Sequence, residues 1–144
     1  LNEIYLSRDC DSRLTKREEY SIKQWFDSNK GFHIIRDHPW HCTSILGGMW
    51  GAKGCMDNLR FMIMDWCISF LINGTNMQKG PDQFFLKELY NLIKDDMFVN
   101  DEFFNYESEK YKINLKRVDC EYIGEPYDEN DNIDLDMRKP LEKY

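Results

Sequence analysis

Apolar residues along the chain fall into short runs broken by turn chemistry and two longer stretches with helical spacing. Ile4-Tyr5-Leu6 is a short apolar run closed by Ser7-Arg8-Asp9-Cys10-Asp11, which predicts a buried strand ending at those polar residues. Thr15 followed by Glu18 has the spacing of a capping box. It predicts a helix running to about Asp27, with Ser28-Asn29-Lys30-Gly31 as its stop. Phe32-His33-Ile34-Ile35-Arg36 reads as a second strand. Asp37-His38-Pro39-Trp40-His41 follows as a loop, because a residue before proline is pushed away from the helical region. Residues 44–51 form a third candidate strand, and its glycine pair suggests a bulge or a close approach by backbone or ligand.

Met56, Leu59, Met62, Ile63, Trp66, Cys67 and Phe70 recur at steps of three and four, predicting a helix over residues 56–72 whose stripe packs on the core. Pro81 suits the first position of the next helix, with Asp82 in its first turn and a broad apolar face from Phe84 to Ile93. Met97-Phe98-Val99 and Cys120-Glu121-Tyr122-Ile123 are further strand candidates, and residues 105–119 are polar and weakly patterned. The chain therefore reads as one α/β domain over residues 1–124. An acidic tail, residues 125–144, is expected to be mobile or draped on the surface.

Composition narrows the function classes. Nineteen basic against twenty-six acidic residues give a net charge of -7, which argues against a general nucleic-acid binder, since phosphate neutralisation needs a basic surplus. The apolar run around residues 61–72 contains Asp65 and follows Arg60, too interrupted for a transmembrane segment. Five scattered cysteines without C-x-x-C spacing read as reduced thiols in a cytoplasmic setting. P-loop, dinucleotide-fingerprint, serine-hydrolase-elbow and zincin motifs do not occur. Leu1 and the missing signal-peptide pattern suggest a chain that starts inside a larger protein.

Four clusters could carry chemistry. Asp9 and Asp11 at the end of a strand can converge on a hard cation such as magnesium or manganese; a solvated acidic turn is the alternative. Arg36, Asp37, His38 and His41 offer a phosphate-binding arginine, a general base and imidazoles around Trp40. They could equally be loop hydrogen-bonding groups around a core tryptophan. Asp82-Gln83 opens a helix, and Asn100-Asp101 follows a short strand.

The order of these motifs is more specific than any one of them. Arg8-Asp9-Cys10-Asp11-Ser12-Arg13, Arg36-Asp37-His38-Pro39-Trp40-His41, Gly47-Gly48-Met49-Trp50-Gly51, Asp82-Gln83-Phe84-Phe85-Leu86, Val99-Asn100-Asp101 and Tyr122-Ile123-Gly124-Glu125-Pro126-Tyr127 follow one another across nearly the whole chain. In this the chain resembles GT-A-like glycosyltransferases of bacterial surface-polysaccharide genes and some large DNA viruses. The resemblance implies a Rossmann-like mixed sheet flanked by helices, lacking most of the N-terminal nucleotide-binding half and expected to be inactive without it. It implies a nucleotide-sugar donor, a glycan or other hydroxyl acceptor, and Mn2+ or Mg2+ on Asp9 and Asp11.

The resemblance makes Asp82 the candidate for sugar binding or for the base, with Asp37 a second candidate base. It places Arg13, Arg36, His38, His41, Gly47, Gly48, Met49, Trp50 and Gln83 around substrate. Asn100 stands where the family has a metal-binding histidine, which weakens that ligand. Two rival classes are a metal-dependent hydrolase built on Asp9, Asp11, His38 and His41, and a degenerate non-catalytic module that binds a glycan or a protein. In the binding module Trp40 and Trp50 would suit stacking on sugar rings, with core packing of both as the alternative.

Overall fold

The computed structural model describes residues 3–54, 57–73 and 81–144. It is mixed α/β, with a four-stranded sheet flanked by helices. The strands are β1 (Glu3–Ser7), β2 (Phe32–Arg36), β3 (Trp50–Gly54) and β4 (Met97–Asp101). The helices are α1 (Lys16–Phe26), α2 (Asp57–Asn73), α3 (Pro81–Ile93) and a short α4 (Leu135–Arg138). Sheet order is β1-β3-β2-β4. β3 runs antiparallel to both its neighbours, and β2 pairs parallel with β4 in the register Phe32 to Met97 through Arg36 to Asp101.

The central strand β2 explains the layering. Successive side chains point to opposite faces, so Ile34 joins Ile45, Trp50, Leu59, Phe85, Leu86, Leu89 and Val99 on the α2–α3 side. Ile35 packs with Met49, Ile113 and Ile123 on the other. On that second side His33 stacks on Trp25 of α1, ring centroids 5.1 Å apart. A strand buried on both faces needs a near-continuous apolar run, which Phe32–Arg36 supplies.

Several expectations are corrected. β1 forms over the expected residues but is not buried: it is an edge strand, paired only with β3 among the described residues, and Ile4, Tyr5 and Leu6 are all exposed. Residues 44–49 form turns rather than a strand, and the strand begins at Trp50, although the Met49 carbonyl still accepts from the Ile35 N–H at 3.0 Å. Residues 120–123 are not a strand: Asp119 and Cys120 have positive φ, which breaks an extended run. Only half of the capping box forms. Thr15 Oγ1 accepts from the Glu18 N–H at 3.1 Å, but the buried Glu18 carboxylate pairs with Arg8 instead of turning back to the cap.

From Glu125 onward the chain is strapped down. Tyr127 N–H donates to the Asp11 carbonyl at 2.8 Å, Arg138 holds Glu125 through two 2.6 Å bonds, and Leu141 is buried. Met56 and Gly74 lie outside the described residues. In α2, Leu59 is buried, and Met62, Ile63 and Trp66 pack against the core. Cys67 is exposed, as are Phe61, Met64, Ile68, Leu71 and Ile72 on the outer side. The four described cysteines carry free thiols, and Cys55 lies outside the described residues. Among the described residues no helix is long and apolar enough to cross a membrane.

Candidate functional site

A cavity of about 730 Å³ opens where the loops after β1 and β2 meet the start of α3 and the strapped C-terminal segment. A volume of this order suits a small-molecule or sugar ligand. One lip is acidic. Asp9 and Asp11 come from the loop after β1, and Asp82 from the first turn of α3.

The glycine pair makes this lip possible. A Cβ on Gly48 would lie 2.3 Å from the Asp9 carboxyl, and one on Gly47 would lie 2.9 Å from Asp82 Oδ2. Any side chain at Gly48 would fill the space that Asp9 occupies. Ser7 Oγ donates to the Gly47 carbonyl at 2.5 Å, tying this turn to the end of β1.

Among the described residues, no side chain makes a hydrogen bond or ion pair with the carboxylate of Asp9 or Asp11. Partial burial and the charges of Asp11 and Asp82 raise the Asp9 carboxyl above its usual value, with Arg8 pulling the other way. Asp82 has a 3.3 Å bond from the Gln83 amide. No lysine or arginine lines the cavity among the described residues.

The rest of the lining is largely aromatic and apolar. It includes His38, Trp40, His41 and Tyr122, with Leu46, Met49 and Met137. His38 Nε2 lies 2.7 Å from the Met137 carbonyl, so that nitrogen carries the proton and donates. Its Nδ1 then accepts from the Trp40 N–H at 3.1 Å. His41 Nδ1 accepts from the Asp37 N–H at 3.2 Å. Burial lowers both imidazoles, His41 to about 4, with the neighbouring His38 also lowering His41, so both are neutral at pH 7.

Of the residues expected at a site, the structure brings Asp9, Asp11, His38, His41, Gly47, Gly48, Met49, Asp82 and Gln83 around this one cavity. It takes the others elsewhere. Asp37 is 1% exposed, clamped by Arg17 and Arg117 at 2.8–3.0 Å and by the Ile123 N–H at 3.0 Å, so it cannot reach a substrate as a base. Arg36 is buried, bonded to Asp101 at 2.8 Å and to Glu107 and the Ser44 carbonyl. Its charge is spent inside the fold.

Asn100 is also buried. Its Nδ2 donates to Gln24 Oε1 at 2.9 Å, so its Oδ1 accepts from His33 Nε2 at 2.8 Å and is not free to bind metal. Arg13 pairs with Asp131 and lies over the Tyr127 ring, away from the cavity. Trp50 is core, packed against Tyr5, whereas Trp40 is 55% exposed at the cavity wall.

Tyr122, Pro126 and Met137 also line the site, with no role read from sequence. They arrive through contacts of about eighty to a hundred residues' separation, such as His38 with Met137, which no local pattern signals. Among the described residues no group of three His, Cys, Asp or Glu side chains is arranged to hold a metal ion by itself. In comparisons with known proteins, the chain matches no family model, no curated protein and no solved structure.

Proposed function

We propose that the chain is the metal- and acceptor-side part of a GT-A-like glycosyltransferase, which moves a sugar from a nucleotide-sugar donor to a hydroxyl acceptor. The observation that carries this is the acidic lip: Asp9 and Asp11, without a hydrogen-bonding partner among the described residues, stand beside Asp82 in a cavity that no described lysine or arginine lines.

A divalent cation suits this donor set. The ligands are hard carboxylate oxygens, their lone pairs are uncommitted, and Gly48 leaves the space they need. Two protein carboxylates also suit an ion that completes its shell with phosphate oxygens, whereas a self-sufficient protein cage would need more ligands than the described residues bring together. Asp9 and Asp11 would hold Mn2+ or Mg2+, which when bound supplies positive charge to the departing diphosphate.

The protein's own part is positioning. The straps from Ser7 to Gly47 and from Tyr127 to Asp11 fix the lip. Asp82 is exposed in the first turn of α3 and carries the base or sugar-binding role, since Asp37 is withdrawn. The neutral imidazoles of His38 and His41 shape the wall without adding charge.

The hydrolase alternative loses support because His38 uses both ring nitrogens and His41 Nδ1 is engaged by Asp37. A non-catalytic glycan-binding module is the second reading, favoured by the exposure of Trp40.

Thermal unfolding of the chain with Mn2+, UDP and GDP, singly and combined, tests the proposal. Metal and one nucleotide together should raise Tm beyond the sum of their separate effects, and Asp9→Asn/Asp11→Asn should abolish that excess. No excess with either nucleotide, or an excess that survives the double variant, contradicts it.

A further inference from the structure

His38, Trp40, His41 and Tyr122 line the same cavity as the acidic lip. Trp40 is 55% exposed, yet its position is defined: its backbone N–H donates to His38 Nδ1, and its ring meets His38 nearly edge-on, 71° and 5.2 Å between centroids. The His41 N–H closes the same turn on the His38 carbonyl at 2.9 Å, and His38 is itself anchored on Met137. An indole carried on a hydrogen-bonded turn and lining a cavity presents a flat apolar surface beside polar groups.

We propose that Trp40 is the stacking platform for a pyranose that carries no negative charge, serving as the acceptor in the glycosyl-transfer reading on which this inference rests. A pyranose has one face of C–H groups, which matches the indole, and hydroxyl edges that need hydrogen-bond partners. The Asp82 carboxylate on the lip of the same cavity can accept from them. Tyr122 lines the cavity too, its ring 4.4 Å from His38, and extends the aromatic surface.

Charge sets the other half of the specificity. Asp9, Asp11 and Asp82 line the cavity and no arginine or lysine among the described residues does, so in the metal-free chain a uronate, sialate or phosphorylated sugar is disfavoured.

Saturation-transfer NMR on the 144-residue chain tests this. Methyl β-galactoside, methyl α-glucoside and N-acetylglucosamine are the neutral probes; glucuronate and N-acetylneuraminate are the acidic ones. At least one neutral probe should receive saturation at its ring C–H protons, with the acidic probes and Trp40→Ala each binding about tenfold more weakly or worse. Trp40→Phe should restore much of the loss. Trp40 is exposed, so circular dichroism should show Trp40→Ala folded like the native chain.

Binding unchanged in Trp40→Ala, glucuronate binding as tightly as the best neutral probe, or no transfer to any neutral probe each overturns the inference. Adding Mn2+ with UDP or GDP to the same samples separates the two claims. Metal-dependent nucleotide binding without sugar binding removes the platform and leaves the transferase reading. Sugar binding at Trp40 without nucleotide binding removes the transferase reading and leaves a glycan-binding site.

Discussion

Asp37 directly follows β2 and Asp9 follows β1 by two residues, yet one carboxylate is wrapped by two arginines and the other has no hydrogen-bonding partner among the described residues. Asp37 accepts from Arg17, Arg117 and the Ile123 N–H, and thereby joins α1, the end of β2 and the segment around residue 120. Asp9 stands at a cavity lip next to Asp11 and Asp82, in a field that opposes its ionisation. Residue type and position after a strand do not distinguish a carboxylate clamped inside the fold from one left open at a cavity. What distinguishes them is whether the rest of the chain supplies counter-charge, and arginines at positions 17 and 117 supply it to only one.

Asp37→Ala should do most damage. It leaves Arg17 and Arg117 largely buried without their shared partner, and urea unfolding should show a loss of about 3–5 kcal/mol. A loss under about 1 kcal/mol would erase the contrast with Asp9.

Acid acts on the interior next. Burial lowers His33 to about 3 and His41 to about 4, below the 6.5 of an unfolded chain. The unfolded state therefore binds more protons than the native state as pH falls. The stability these histidines contribute is present above pH 6.5 and is lost as pH falls from 6.5 to about 4 for His41 and to about 3 for His33, at up to about 1.4 kcal/mol per unit for each. Stability that stays flat between pH 7 and 5 would mean that these rings are not buried neutral.

Gly48→Ala should come third. Its new Cβ collides with the Asp9 carboxyl, with an expected cost of about 1–3 kcal/mol. Combining it with Asp9→Ala should recover much of that loss, because the clash partner is gone, and a double-mutant cycle measures the coupling directly.

Asp9→Asn should matter least for the fold. The Asp9 carboxyl is raised above its usual value, so its charge is unfavourable in the native state at neutral pH. Removing it should leave stability within about 0.5 kcal/mol or raise it slightly.

Much of the fold was legible where the signal is local. β1, β2, β4 and the three long helices follow from apolar runs, a Thr15 cap and a Pro81 start, with boundaries shifted by a few residues. The strand expected over residues 44–51 failed because its glycines serve the site: they turn the chain so that Asp9 and Asp82 can approach, and pairing begins only at Trp50. The lip residues were legible because carboxylates at i and i+2 after a strand have a recognisable chemistry.

Arg36, Asp37 and Asn100 were not legible as interior groups. Their partners Asp101, Arg117 and His33 lie at least 65 residues away, and no periodicity announces such pairs. Trp40 and Trp50 show the same limit in miniature. They are alike in sequence, but one is exposed at the cavity and one is packed in the core.

Calorimetric titration of Mn2+ into the chain, with and without UDP or GDP, is the most direct test of the claim that the unpaired lip exists to hold a cation on a nucleotide diphosphate. The native chain should bind Mn2+ weakly alone and more tightly with one of the nucleotides, and Asp9→Asn/Asp11→Asn should lose that coupling while remaining folded. Tight Mn2+ binding that ignores nucleotide, or coupling that persists without the two carboxylates, would contradict it.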